Sequence, residues 1–329
     1  MKKILAHLFE YKTFTKAEAY AILRRLTSGE FNAAQIAAFM TAYSMRSIRV
    51  EELEGFRDAM YDQSLKIQFK GYDLIDLCGT GGDGKNTFNI STLASFVIAG
   101  AGYHVAKHGN YGVSSACGSS NVMEFLGYSF TDDYSCLRKQ LDNANICFLH
   151  APLFHPAMKA VAPIRRELGV KTFFNMLGPL TNPANPQYQL VGVYNLELAR
   201  LYAYLMEKSG KKYTIVHSLD GYDEISLTGN FKTVDLEGEH HIELEQLGMN
   251  QVDPSDIYGG ETVEQAAKIF TSILNGNGTV VQNRVVITNA AIGIRTRQPH
   301  LSFEDAYAHA EESLLGAHAL HSFKTLLEC

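Results

Sequence analysis

One stretch near residue 80 limits the possible folds of this chain more than any other. Leu74-Ile75-Asp76-Leu77-Cys78 is a short, nearly continuous apolar run, the pattern of a strand buried on both faces. Four glycines follow it within residues 79–84, and an apolar, helix-like run comes next over 93–100. A buried strand, a glycine-rich loop and an apolar helix make one βα unit, and such units assemble into a parallel sheet with helices on its faces. The chain beyond Tyr72 continues the theme. Further strands are expected at 103–106, 145–149, 189–193, 213–217 and 284–288, with helices between them. Residues 231–245 read as a β-hairpin turning near Gly238, and 247–260 as a loop. The expected class is α/β with a central, largely parallel sheet.

The first seventy residues have a different period. Thr15 and Glu18 have the spacing of a capping box, and Ala19, Ile22, Leu23 and Leu26 follow at helical intervals up to Gly29. Asn32 precedes a second stripe of Ile36, Phe39, Met40 and Tyr43, and Leu53, Phe56 and Met60 form a third. A small helical domain over 1–70 and a larger α/β domain over 71–329 are therefore expected. Charge narrows the function. Lys and Arg total 29 against 35 Asp and Glu, a formal charge of −6, which argues against a protein that coats nucleic acid. No run of 18 apolar residues is present, the first residues lack the apolar core of a signal peptide, and the five cysteines contain no C-x-x-C. A cytoplasmic protein with free thiols and no membrane contact is expected.

The loop Gly79-Thr80-Gly81-Gly82-Asp83-Gly84-Lys85-Asn86-Thr87 suits phosphate, because glycines let backbone N–H groups approach an anion closely. Three readings compete. Gly79, Gly81 and Gly84 satisfy the dinucleotide pattern G-x-G-x-x-G, but Lys107-His108 follow directly on the next strand, where an acidic residue is required. Gly79 and Gly84-Lys85 satisfy most of a P-loop, but Asn86 stands where the metal-binding hydroxyl belongs. The third reading adds Asn89, Ile90, Ser91 and Thr92 at the start of the following helix, where side chains and the helix N-terminus both favour an anion. A second loop over 107–115, with Ser119 soon after, adds a cation, glycines and hydroxyls, so the common ligand would carry phosphates at both ends.

Taken together, DLCGTGGDG, FNIST, VAKHGN…VSS, HPAMK..APIRRELG.KTFFN.LGPLTNP and DGYDE, in this order, resemble the anthranilate phosphoribosyltransferase family. The resemblance runs the length of the chain and is densest over 76–183. It implies a nucleoside phosphorylase/phosphoribosyltransferase-like fold, a helical domain completed by a central segment near 162–186, a homodimer, and Mg²⁺, two ions per subunit with substrate bound. The substrates it implies are anthranilate and phosphoribosyl pyrophosphate. By the same resemblance, phosphoribosyl pyrophosphate is held by Gly79, Gly82, Asp83, Thr87, Asn89, Ile90, Ser91, Thr92, Lys107, His108, Gly109, Asn110, Tyr111, Gly112, Val113, Ser114, Ser115 and Ser119. Lys107 and His108 take catalytic roles, Ser91, Asp223 and Glu224 bind metal, and Gly79, Asn110 and Arg165 surround anthranilate. On their own, Asp223-Glu224 read as a solvated turn and Arg165 as a surface ion pair with Glu167. Asn121 departs from the family, which commonly has Asp there; as a helix-start residue it is expected to cap backbone N–H groups, the alternative being that it faces the pyrophosphate.

The implied reaction moves the phosphoribosyl group onto the amine of anthranilate and releases pyrophosphate, a step of tryptophan biosynthesis. That amine is neutral near pH 7, so no strong general base is expected, only positioning and stabilisation of the leaving pyrophosphate. Two rivals share the fold: a pyrimidine nucleoside phosphorylase and a non-catalytic nucleic-acid-binding relative. The complete GTGGD-plus-NIST pair, the Asp223-Glu224 pair and the charge of −6 oppose them.

Overall fold

The computed structural model describes residues 1–112 and 117–329. The chain runs α1 (Lys2–Phe9), α2 (Lys16–Thr27), α3 (Ala33–Ser44), α4 (Val50–Asp62), β1 (Leu74–Gly79), α5 (Ile90–Gly100), β2 (His104–Gly109), α6 (Ser119–Phe125), α7 (Tyr134–Ala144) and β3 (Ile146–His150). It continues with α8 (Ala151–Phe154), α9 (Ala162–Leu168), β4 (Tyr188–Gly192), α10 (Leu196–Glu207), β5 (Lys212–Ser218), β6 (Phe231–Asp235), β7 (Gly238–Ile242), α11 (Val263–Leu274), α12 (Val280–Arg297), α13 (Phe303–Leu315) and α14 (His318–Glu328). Short 3₁₀ turns, among them Pro254–Ile257, interrupt the connection read as a loop. Two compact units result: Met1–Ile67 with Ala151–Asn185, and Gln68–His150 with Pro186–Cys329. Among the described residues no helix is long and apolar enough to cross a membrane.

In the helical unit, the chain starts its helices with side-chain caps. Thr15 accepts the Glu18 N–H while the Glu18 carboxylate accepts the Thr15 N–H at 2.9 Å, and Asn32 and Gln35 do the same for α3. The stripes on α2, α3 and α4 are buried. The central segment joins them through Phe173, whose ring lies 5.9 Å from Phe39, 5.2 Å from Tyr43 and 4.7 Å from Phe56. Glu52 is fully buried and accepts the N–H groups of Phe14 and Arg49 and the Tyr43 hydroxyl, beside the Arg46 guanidinium. Burial alone would raise its pKa. Arg46 and the two N–H groups outweigh that and hold it below the ordinary glutamate value.

In the α/β unit, seven strands form one sheet in the order β3-β2-β1-β4-β5-β6-β7. The first five are parallel, and β5-β6 and β6-β7 are antiparallel, β6 and β7 being the expected hairpin. From β1 the chain steps outward to β2 and β3, then returns to place β4 on the other side of β1. The strand order therefore reverses between β1 and β4, and the crevice beyond their carboxyl ends is where such sheets bind ligands.

Two expectations need correction. Residues 284–288 are not a strand but lie inside α12. Eleven residues between Val285 and Thr296 are buried on all sides, so no one-sided stripe betrays the helix, and the β-branched run imitates a strand. The decisive signal is the Thr279/Gln282 capping box just before it. The second strand is also longer than expected. It runs to Gly109, which puts Lys107 and His108 on β2 rather than in the following loop.

Candidate active site

β1 and β4 end on a paired Gly79 and Gly192. A Cβ on Gly79 would press into the Asp223 carboxylate, 3.0 Å from its Cγ, and a Cβ on Gly192 would overlap the Asp223 carbonyl. Two strands thus end without side chains so that the turn after β5 can lie against them. The glycine loop then follows β1 with positive φ at Gly81, Gly82 and Gly84, conformations that only glycine adopts without strain. Its far end is fastened: Asn86 Nδ2 donates to the Gly260 carbonyl at 2.7 Å, the Gly259 N–H to the Asn86 carbonyl at 2.7 Å, and Thr87 bridges to Tyr258. The Asp83 carboxylate accepts the Lys85 N–H at 3.0 Å. Thr80 Oγ1 is buried in this loop with no hydrogen-bond partner among the described residues. A loop of this build has polar groups left over for a ligand.

The turn after β5 carries Asp223 and Glu224. It is not solvated, as the bare motif suggests, because β5 delivers it into the crevice. Asp223 is buried, and its Oδ2 accepts the Gly81 N–H at 2.6 Å. Glu224 is partly buried, and its Oε1 accepts the Ser91 N–H at 3.3 Å, at the N-terminus of α5. Neither carboxylate forms an ion pair among the described residues. Burial, with Asp83 and Glu224 adding like charge, pushes the Asp223 pKa well above the carboxylate range. Burial likewise raises that of Glu224 to about 7, against the opposing pull of Lys107 and Ser91. Two crowded carboxylates and the Ser91 hydroxyl are an all-oxygen donor set short of positive charge. Among the described residues no three His, Cys, Asp or Glu side chains converge as a metal cage. An incomplete set of hard oxygens is what Mg²⁺ accepts when phosphate oxygens supply the rest, so these residues fit that ion.

Lys107 and His108 lie one strand away on β2. Lys107 is 2% exposed, and its ammonium donates to the Leu77 carbonyl at 2.7 Å. Burial lowers its pKa, and Asp76, Cys78 and Glu224 oppose the shift. The His108 N–H donates to Asp76 Oδ1 at 3.1 Å, in the same buried layer. Beyond Gly109, the Asn110 carbonyl accepts the Ser119 hydroxyl and the Ser120 N–H, and the Tyr111 ring stands edge-on to His150 at 4.9 Å. Val113, Ser114 and Ser115 lie outside the described residues. Asn121 caps as expected, its Oδ1 accepting the Gly112 N–H at 2.9 Å and the Gly118 N–H at 3.0 Å. Asn89 does not cap α5. Its Nδ2 donates to the Cys117 carbonyl instead, at 3.2 Å. Ile90 and Thr92 are buried in the first turn of α5.

Arg165 belongs to the helical unit, whereas Gly79 and Asn110 belong to the α/β unit. It makes no ion pair with Glu167 or any other acid among the described residues. Its Nη2 donates to Asn175 Oδ1 at 3.3 Å, and its guanidinium lies 5.4 Å from the Phe174 ring centre. Burial lowers its pKa to about 10. A half-buried, oriented cation without an acid is a ready carboxylate binder.

Three residues around the site escaped the sequence reading: Gly192, Ser218 and Asn289. Gly192 shows in the sequence only as a glycine in an apolar run and Asn289 only as an amide in another, Ser218 carries no mark at all, and none of the three points to the turn it contacts.

Comparison with known proteins is consistent across sequence and fold. Residues 2–64 match the model described as glycosyl transferase family, helical bundle domain, and residues 71–320 match glycosyl transferase family, a/b domain. The anthranilate phosphoribosyltransferase of Christiangramia forsetii is 54% identical over 326 residues, 99% of this chain and 98% of that protein. That of Flavobacterium psychrophilum is 55% identical over 326 residues, with the same coverage of both. The crystal structure of anthranilate phosphoribosyltransferase from Thermus thermophilus superposes with a TM-score of 0.90 at 32% identity, covering 99% of this chain and 98% of that one. The Saccharomyces cerevisiae enzyme in complex with phosphoribosyl pyrophosphate and Mg superposes equally well, at a TM-score of 0.90 and 26% identity over 99% and 96% of the two chains.

Proposed function

The chain belongs to the anthranilate phosphoribosyltransferases, and on that premise we propose how its own residues divide the work. It transfers the phosphoribosyl group of phosphoribosyl pyrophosphate to the amine of anthranilate, a reaction of tryptophan biosynthesis, and it uses Mg²⁺. A bond forms between the amine nitrogen and ribose C1 as the C1–O bond to pyrophosphate breaks. The leaving group keeps the electron pair, and the amine loses a proton. Neither rival, phosphorylase or nucleic-acid binder, gains support from the relatives' names.

In our reading the glycine loop, with Gly79, Gly82, Asp83 and Thr87, and the start of α5, from Asn89 to Thr92, bind phosphoribosyl pyrophosphate. The second loop, from Lys107 to Ser115 with Ser119, completes its site. Ser91, Asp223 and Glu224 hold the metal, with two ions per subunit when substrate is present. Bound Mg²⁺ would offset the negative charge gathering on the leaving pyrophosphate. Lys107 contributes a buried positive charge whose field reaches Glu224, and His108 is fixed through its backbone to Asp76. Gly79 and Asn110 flank anthranilate, and Arg165 takes its carboxylate. We also propose a homodimer, in which exposed apolar residues of the helical unit such as Phe9, Tyr11 and Met45 would be covered. A cytoplasmic location accords with five free thiols.

One observation carries this reading: two acids that form no ion pair among the described residues, one of them bonded to the glycine loop, at the point where the strand order reverses. The test is the Mg²⁺ dependence of turnover in Asp223→Asn and Glu224→Gln. Both should fold as wild type by circular dichroism and lose roughly 10²-fold or more in turnover. Wild-type activity at limiting Mg²⁺ in both would refute the metal assignment.

A further inference from the structure

We infer that Asn289 of α12, together with Ser218 at the end of β5, is a positioning residue that latches the Asp223-Glu224 turn into its working shape. The inference rests on the reading of those acids as metal ligands.

Asn289 is 1% exposed, in the buried stretch of α12 that begins at Val285. Its Oδ1 accepts the Ile225 N–H at 3.1 Å, and its Nδ2 donates to the Ile225 carbonyl at 2.8 Å. The second Nδ2 hydrogen goes to the Val285 carbonyl at 2.9 Å, one turn back on α12. The amide thus pairs with both backbone groups of one residue, as a neighbouring strand would. A side-chain amide offers a donor and an acceptor side by side without any change of protonation. An unpaired amide inside an apolar helix would be a liability, so the position demands a polar partner, and the turn supplies it.

Ser218 grips the same Glu224–Ile225 peptide from the other side, at its carbonyl. Fully buried, its Oγ donates to the Glu224 carbonyl at 2.7 Å and receives bonds from the Ser226 N–H and hydroxyl at 3.3 and 3.1 Å. The Ser218 backbone closes the turn, its N–H donating to the Tyr222 carbonyl and its carbonyl accepting the Gly221 N–H. Glu224 and Ile225 are therefore held through main-chain groups on two faces, by a strand and by a helix. A small cavity bounded by Cys78, Ser91, Gly192, Glu224 and Asn289 lies directly beside the latch. Leu77, Leu190 and Val216 complete the lining, and as aliphatic side chains they offer the Glu224 carboxylate no polar contact, so its aim toward Ser91 depends on the fixed backbone beneath it. Groups that orient metal ligands typically change metal affinity by 10- to 100-fold when removed.

The test measures half-saturating Mg²⁺, read both from turnover and, without turnover, by titration calorimetry with pyrophosphate present, and the KM for anthranilate in Asn289→Ala and Ser218→Ala. Thr296→Val serves as the control, because Thr296 makes a buried bond to Thr214 at 2.7 Å on the same helix, about two turns away. The expected result is a rise of roughly tenfold or more in half-saturating Mg²⁺ for both latch variants, with the anthranilate KM within about twofold of wild type. Thr296→Val should change melting temperature only. If Asn289→Ala does not fold, Ser218→Ala, which loses one hydroxyl, decides alone. Wild-type Mg²⁺ dependence in the latch variants, or an equal shift in Thr296→Val, overturns the inference. Asp223→Asn measured alongside separates the two levels. If it is impaired while the latch variants are normal, only the latch is wrong; if it too is normal, the metal-ligand reading falls and the latch with it.

Discussion

Gly79→Ala should disable the enzyme while barely touching the fold, and Gly192→Ala should damage both. The φ of Gly79 is not in the left-handed region, so its backbone accepts alanine. What cannot accept it is Asp223. The new methyl would sit 3.0 Å from Cγ and 3.2 Å from the carbonyl oxygen, and closer still to Oδ2. The carboxylate must withdraw by about 1 Å, losing its bond to the Gly81 N–H, a charged hydrogen bond of roughly 1.5–3 kcal/mol. The reduced entropy of the unfolded alanine chain returns about 0.4–1 kcal/mol, so the net destabilisation should be about 1–2 kcal/mol. A ligand misplaced by that distance costs about 10²-fold in turnover. At Gly192 the clash is with the Asp223 main chain, which no side-chain rotation relieves. Repacking there should cost about 3 kcal/mol in addition to activity. Urea melts give the stabilities, and initial rates of anthranilate fluorescence loss across a Mg²⁺ titration give turnover. A double-mutant cycle isolates the cause: added to Asp223→Asn, Gly79→Ala should lose little more. Additive losses, or a Gly79→Ala enzyme with wild-type Mg²⁺ dependence, would refute the reasoning.

Other outcomes follow from single contacts. Arg165→Ala should raise the KM for anthranilate by about 1.5–3 kcal/mol in free-energy terms, leaving that for phosphoribosyl pyrophosphate nearly unchanged; steady-state kinetics with each substrate varied would expose an error if both constants stay put. Glu52→Gln should destabilise the protein by about 3–5 kcal/mol, because it strands Arg46 in a buried site. The folded pKa of Glu52 is depressed, so its contribution is complete above the unfolded value near 4.5 and is lost as pH falls through the lower folded value. Urea melts from pH 3 to 7 should therefore show a shallower acid limb in Glu52→Gln, and an unchanged limb contradicts the assignment. Asn121→Asp keeps an oxygen for both N–H groups it now accepts and should shift stability by less than about 1 kcal/mol, without a Mg²⁺-dependent change in the KM for phosphoribosyl pyrophosphate.

Much of the fold was legible because local and global signals agree. The capping boxes at Thr15 and Asn32 and the stripes behind them specify three helices before any packing is considered. The apolar run at β1, followed by glycines, declares a parallel strand and the glycine loop after it. The run at 284–288 misled because a helix buried on every side loses the one-sided pattern that marks helices, and its cap at Thr279 is the surviving clue. Lys107 misled in the opposite way: a cation suggests a loop, yet the Leu77 carbonyl and the field of Asp76 and Glu224 hold it inside the sheet. In the site, residue types that bind phosphate were readable as types. Asp223 and Glu224 were not readable without the family, since a short acidic turn is solvated in most proteins and only tertiary structure buries this one. Gly192, Ser218 and Asn289 act through close approach and main-chain bonds to a turn distant in sequence, which no local pattern encodes.

The most direct measurement mixes the purified protein with anthranilate, phosphoribosyl pyrophosphate and Mg²⁺, and follows anthranilate fluorescence with released pyrophosphate. Fluorescence should fall only when all components are present, one pyrophosphate should appear for each anthranilate consumed, and a chelator should stop both. Unchanged fluorescence, with the protein folded and both substrates intact, would contradict the proposed site and its chemistry together.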